Sequence, residues 1–135
     1  MLITLMSALL LQSATPPAAP ACAAIDQSLP ANMNPWRSPV AAGATVAPGQ
    51  AVTYAPSTPL ILVITEAGTY GVAIDQAAWI DVARDGAALH SNGNSHGPTC
   101  SSVRKIVDFQ LQPGRYTITL SRTQAPTVRL LVVRR

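Results

Sequence analysis

The densest chemistry in this chain lies between Asp81 and Cys100. That stretch holds both histidines, His90 and His96, one of the two cysteines, Cys100, and the carboxylates Asp81 and Asp85. Imidazole nitrogens and carboxylate oxygens are ligands for divalent metals. A loop folding His90 and His96 onto one ion, with Asp81, Asp85 or Asp108 completing the set, would make a metal site. Against it, His-x5-His is no recognised ligand spacing, and two histidines alone are fewer ligands than a zinc site takes. The rival reading is a solvated loop, because His90 to Cys100 is rich in Ser, Asn and Gly.

Other catalytic constellations are not expected. A Ser-His-Asp hydrolase needs its nucleophile on a strained strand-to-helix elbow, and the chain has no helical periodicity of useful length. A glycosidase needs two carboxylates flanking a cleft, whereas Glu66, the single glutamate, sits in the turn Glu66-Ala67-Gly68. No phosphate loop or dinucleotide fingerprint occurs. The leading expectation is therefore a non-catalytic binding or accessory protein. The alternative is a metal-binding protein or metalloenzyme centred on the His90–His96 loop, the one place where a divalent metal cofactor would sit.

Charged residues make up only 11% of the chain, so charges on strands stand out. Asp81, Arg104, Lys105 and Asp108 are either structural pairs (Asp81 with Arg84 or Arg104, for example) or part of a recognition face. Together with the two tryptophans they define a candidate binding face of Trp36, Trp79, Asp81, Arg104 and Asp108. For Trp36 the competing expectation is an anchor that pins an irregular segment to the fold. The net charge is +3, without a Lys/Arg run and with aromatics at 4%. That excludes the clustered basic footprint of a nucleic-acid binder. The expected partner is an envelope protein or a glycan.

The elements that must position these residues are strands. High Pro, abundant Thr and Val and a high apolar fraction favour one all-β domain rather than disorder. Residues 1–21 read as a signal peptide: Leu2 to Leu11 is an apolar run too short to span a bilayer, followed by a small-residue, Pro-containing tract. Cleavage is expected between residues 14 and 24, and no transmembrane helix is expected once the leader is removed. Export to the periplasm or beyond makes Cys22 and Cys100 read first as a disulfide. Chain-entropy reasoning gives such a long loop about 4.5 kcal/mol, as an upper figure. A lipidated Cys22 with a free Cys100, or intermolecular pairing, is the alternative.

Residues 22–39 form an irregular N-terminal segment, since Pro30, Pro35 and Pro39 exclude a long helix; a single helical turn is expected near Ala24–Leu29. Residues 40–135 form the domain itself. Alternation and turn signals mark strands over Val40–Ala47, Gln50–Tyr54, Leu60–Thr65, Thr69–Ile74, Trp79–Ala83, Ala87–Ser91, Val103–Leu111, Arg115–Arg122 and Thr127–Arg134. Asp85-Gly86 supplies the hairpin turn. About eight or nine short antiparallel strands at this spacing make a β-sandwich, jelly-roll-like.

Two segments echo each other. Leu60–Thr65 runs through Gly68-Thr69-Tyr70 into an alternating strand, and Ile106–Leu111 runs through Gly114-Arg115-Tyr116 into another. Each tyrosine is expected to open the inward face and send its hydroxyl to a backbone group, as at a tyrosine corner.

Trp79-Ile80-Asp81-Val82, Arg84-Asp85-Gly86 and Leu89, then Val107-Asp108-Phe109-Gln110-Leu111 and Pro113-Gly114-Arg115-Tyr116-Thr117-Ile118, resemble the bacterial pre-peptidase C-terminal (PPC) domain. The resemblance spans roughly Gln50 to Val133. It implies a secreted β-sandwich module of the kind appended to exported enzymes. The whole chain also resembles a group of short exported bacterial proteins. These share an N-terminal Cys, a Leu-Pro then Trp segment (Leu29-Pro30 and Trp36) and a His-Gly-Pro-x-Cys loop (His96 to Cys100). Some of that group carry a homogentisate dioxygenase label. That enzyme is a much larger cupin protein with a two-His, one-carboxylate iron site, and two histidines in one loop do not support it.

Overall fold

The computed structural model describes residues 21–135. The leader expected over residues 1–21 lies, but for Ala21, outside them. No helix among the described residues is long and apolar enough to cross a membrane.

The domain is a sandwich of two mixed sheets. In chain order the strands are β1 (Val40–Ala41), β2 (Thr45–Val46), β3 (Ala51–Tyr54), β4 (Leu60–Ile64), β5 (Gly68–Ile74) and β6 (Trp79–Arg84). They continue with β7 (Ala87–Ala88), β8 (Gly93–Ser95), β9 (Lys105–Leu111), β10 (Gly114–Ser121) and β11 (Val128–Arg134). One sheet has the order β1-β3-β11-β5-β9-β8 and the other β2-β4-β10-β6-β7.

The all-β sandwich expectation holds, with eleven strands rather than eight or nine. The extra strands come from two places. Val40–Ala47 splits into β1 and β2, which pair parallel to β3 and β4 in opposite sheets, so the fold is not wholly antiparallel. The loop expected to be solvated contributes β8, which pairs with β9 although its three residues are polar or Gly and exposed. Ladder bonds come from the backbone, so a short edge strand needs no apolar side chain. Conversely, Ala87–Ser91 keeps only β7 as a strand.

Every connection except β6–β7 and β8–β9 passes from one sheet to the other. The β6–β7 hairpin turns at Asp85 and Gly86, both at positive φ, the geometry that Asp-Gly favours. The two Gly-x-Tyr corners are reciprocal crossings: β4 leads through one into β5, and β9 leads through the other into β10. Tyr70 Oη donates to Glu66 O at 2.7 Å, and Tyr116 Oη donates to Gln112 O at 3.1 Å while accepting from Gln112 N at 2.9 Å. β4 pairs with β10 and β5 with β9, which makes the centre of the sandwich pseudo-symmetric.

The main core fills the space between the sheets, with Leu62, Val72, Phe109, Leu111, Ile118 and Leu130 among its members. A second cluster lies on the outer face of the six-stranded sheet. There Ala73, Ile106, Leu131 and Val133 are covered by Met33 and Trp36. The cover is a 3₁₀ helix over Ala31–Arg37, not a turn near Ala24–Leu29. Pro35 fits inside it because a short 3₁₀ segment asks for few backbone donors. Val103 also packs in this outer cluster rather than sharing the inward face of β9, because the strand begins only at Lys105.

Cys22 and Cys100 form the expected disulfide. The sulfur of Cys22 is thereby engaged and leaves nothing for a lipid thioether. Beside the bridge, Ser102 N and Oγ donate to the two oxygens of Asp26 at 2.7 and 2.6 Å, and Trp36 Nε1 donates to Ser102 Oγ at 3.0 Å. Arg129 donates to Trp36 O at 3.1 Å and stacks 5.5 Å from the Trp36 ring centre. The irregular N-terminal segment is thus a strap, held by one covalent bond and a polar network over an apolar patch.

Candidate binding cleft

The other side of the sandwich is open. β7 pairs only with Ala83 and Arg84 of β6, and β8 only with Ile106, Val107 and Asp108 of β9, so the rest of each strand's edge is left without a partner. A cleft of about 390 Å³ opens there, floored by Ile80, Val107 and Phe109 and rimmed by Trp79, Asp81, His90, Ser91, Asn94 and Lys105.

Strand alternation explains the rim. Ile80 and Val82 of β6 point into the core, which sends Trp79 and Asp81 outward. Trp79 is 54% exposed, the largest side chain to face solvent so openly. Its Nε1 donates to Asp81 Oδ1 at 3.1 Å. Lys105 occupies an inward register position of β9, in line with Val107 and Phe109. It escapes the core at the strand's start, reaching across the gap to donate to Ala78 O at 2.9 Å. Its ammonium lies 5.4 Å from the Trp79 ring centre. A cation and a carboxylate therefore fix the indole orientation while leaving much of the ring accessible.

A second depression of about 310 Å³ adjoins the first. It is lined by Ala77, Ser95, His96 and Arg104, and shares Asn94 and Lys105 with the cleft.

The expected site residues are therefore dispersed. His90 lines the cleft and His96 the adjoining depression, both exposed. Among the described residues no group of three or more His, Cys, Asp or Glu side chains is placed to hold a metal ion. Trp79, Asp81 and Arg104 lie around this paired trough. Asp108 does not: it faces the outer side of the six-stranded sheet, with Arg135 Nε 3.2 Å from its Oδ1. Trp36 is fully buried between the strap that carries it and the six-stranded sheet, so it is the anchor and not a platform. The anticipated pairing of Asp81 with Arg84 or Arg104 does not form among the described residues. Asp81 serves Trp79, and Arg84 donates to Tyr116 Oη and Pro113 O.

Two features go beyond the sequence reading. Lys105 was legible as a charge on a strand; its inward register, next to Val107 and Phe109, is the signal that the strand starts at a mouth. The second is Gly93-Asn94-Ser95-His96-Gly97, which has the letters of a nucleophile elbow. Here it has no such context: Ser95 ends the edge strand β8, and no helix follows. The glycine after His96 has a packing role instead. A Cβ at Gly97 would stand 2.2 Å from Val103 O, so only glycine lets this loop lie against the segment that leads into β9.

Comparison with protein-family models, with curated proteins and with solved structures finds no match.

Proposed function

We propose that this chain is a non-catalytic, exported β-sandwich binding protein of the periplasm or cell envelope, and that its cleft takes a glycan. The observation that carries the reading is Trp79: an exposed indole held in place on the rim of an apolar-floored cleft, with hydrogen-bonding groups on either side. A pyranose ring offers the matching chemistry. Its C–H face lies on an aromatic ring, and its hydroxyls meet acceptors and donors such as Asp81, Asn94, Ser91 and Lys105. The disulfide supports an oxidising compartment, because such bridges persist outside the cytosol.

The test is an envelope-glycan array probed with the mature, oxidised protein and with Trp79→Ala. Binding by the parent that falls at least about tenfold in the variant is expected, the loss of one stacked ring. A parent protein that binds no glycan on the array sinks the reading.

A further inference from the structure

We infer that the glycan is acidic, with a carboxylate or phosphate on the unit next to the one stacked on Trp79; this rests on the glycan reading above and adds the charge of the ligand. Asn94 and Lys105 line both depressions, so the two share a wall, and they differ chemically. The Trp79 half is amphipathic. The other half has Arg104, Lys105 and His96 on its walls and no carboxylate.

The nearby acids are committed elsewhere. Asp81 accepts from Trp79 Nε1, and Asp108 faces the opposite side of its sheet beside Arg135. Arg104 is exposed, and among the described residues its side chain makes no hydrogen bond or ion pair. Lys105 uses one of its three N–H groups on Ala78 O. An arginine fork and a lysine ammonium lining one depression suit a carboxylate or phosphate oxyanion, which takes charge-assisted hydrogen bonds from both. The open trough leaves these groups partly hydrated, so the attraction is moderate and sensitive to salt.

Calorimetric titration of the mature, oxidised protein tests this. The ligands are a neutral oligosaccharide drawn from the array hits and its uronate- and phosphate-bearing counterparts, at low and high salt, with Trp79→Ala and Arg104→Glu alongside. Arg104 holds no other group in place, so its replacement leaves the fold intact. An acidic ligand is expected to bind about tenfold tighter than the neutral one at low salt, with the advantage shrinking at high salt. Arg104→Glu should abolish that advantage, and whichever acid gains more identifies the anion. Equal affinity for neutral and acidic ligands, unchanged by Arg104→Glu, overturns the inference and leaves the glycan reading standing. Absence of binding to every oligosaccharide overturns both. Acidic-ligand binding lost in Arg104→Glu but indifferent to Trp79→Ala also overturns it, since that pattern marks a cationic patch for an acidic peptide.

Discussion

Trp36 and Trp79 have nearly the same local partners. Each indole N–H donates to a polar side chain, Ser102 Oγ at 3.0 Å and Asp81 Oδ1 at 3.1 Å. Each ring has a cation near its face, Arg129 at 5.5 Å and Lys105 at 5.4 Å. Yet one residue is fully buried and the other 54% exposed. What separates them is the cover. On the outer face of the six-stranded sheet, the strap and its disulfide hold Met33 and Trp36 down against Ala73, Leu131 and Val133. At the opposite gap, β7 and β8 are too short to close the edge, and the same indole chemistry is left at a mouth. A satisfied polar tip makes a tryptophan rigid; whether it then anchors or binds depends on what the backbone lays over it.

The sharpest way to break that comparison is truncation of each ring. Trp36→Ala should cost about 3–5 kcal/mol in urea unfolding, because it empties a filled space and removes the indole N–H that Ser102 Oγ accepts and the ring face beside Arg129. Trp79→Ala should stay within about 0.5 kcal/mol, as befits an exposed side chain. Equal costs at the two sites would mean that the open side is as structural as the strap.

Removing the staple separates the two regions in another way. Cys22→Ser/Cys100→Ser should cost about 2–4 kcal/mol. In a Trp79→Phe background, where Trp36 is the only tryptophan, acrylamide should quench Trp36 emission weakly with the bridge and more strongly without it. Quenching that does not change on loss of the bridge would show that the Asp26–Ser102–Arg129 network holds the strap unaided.

Much of this was legible before the structure because the signals were periodic or covalent. Alternation placed the long strands to within a residue or two, Asp85-Gly86 placed the hairpin, and Gly-x-Tyr spacing placed both tyrosine hydroxyls on backbone carbonyls. The bridge followed from having two cysteines in a chain whose leader led us to expect export. The short edge strands β1, β2 and β8 were not legible as such, because two or three residues give no period and their pairing is decided by the neighbouring sheet. The site was half legible for a related reason. Alternation sends Trp79 and Asp81 outward together, but only the tertiary gap brings Lys105 and Asn94 to them. The same alternation puts Asp108 on the wrong face of β9, one residue from Val107, which lines the cleft.

Tyr54 sharpens the comparison from a third direction and carries the smallest effect. Trp36, Tyr70, Trp79 and Tyr116 each have a partner for the polar tip, whereas the Tyr54 hydroxyl is buried without one among the described residues. Burial pushes its ionisation above the ordinary tyrosine value of 10.0, since an isolated phenolate would lose its hydration. The sign of the linkage follows. The native state holds this proton where the unfolded chain releases it, so its contribution is intact below about pH 10 and is lost as pH rises further. Tyr54→Phe should therefore leave stability at pH 7 unchanged or raise it by up to about 1 kcal/mol, because a buried unpaired hydroxyl is removed. It should also flatten the loss of stability above about pH 10. Urea unfolding of both proteins at pH 7 and at alkaline pH reads the two effects together. A Tyr54→Phe variant that loses more than about 1 kcal/mol at pH 7 would show that the hydroxyl has a partner after all, such as an ordered water, and that every aromatic tip in this sandwich is satisfied whether or not it is covered.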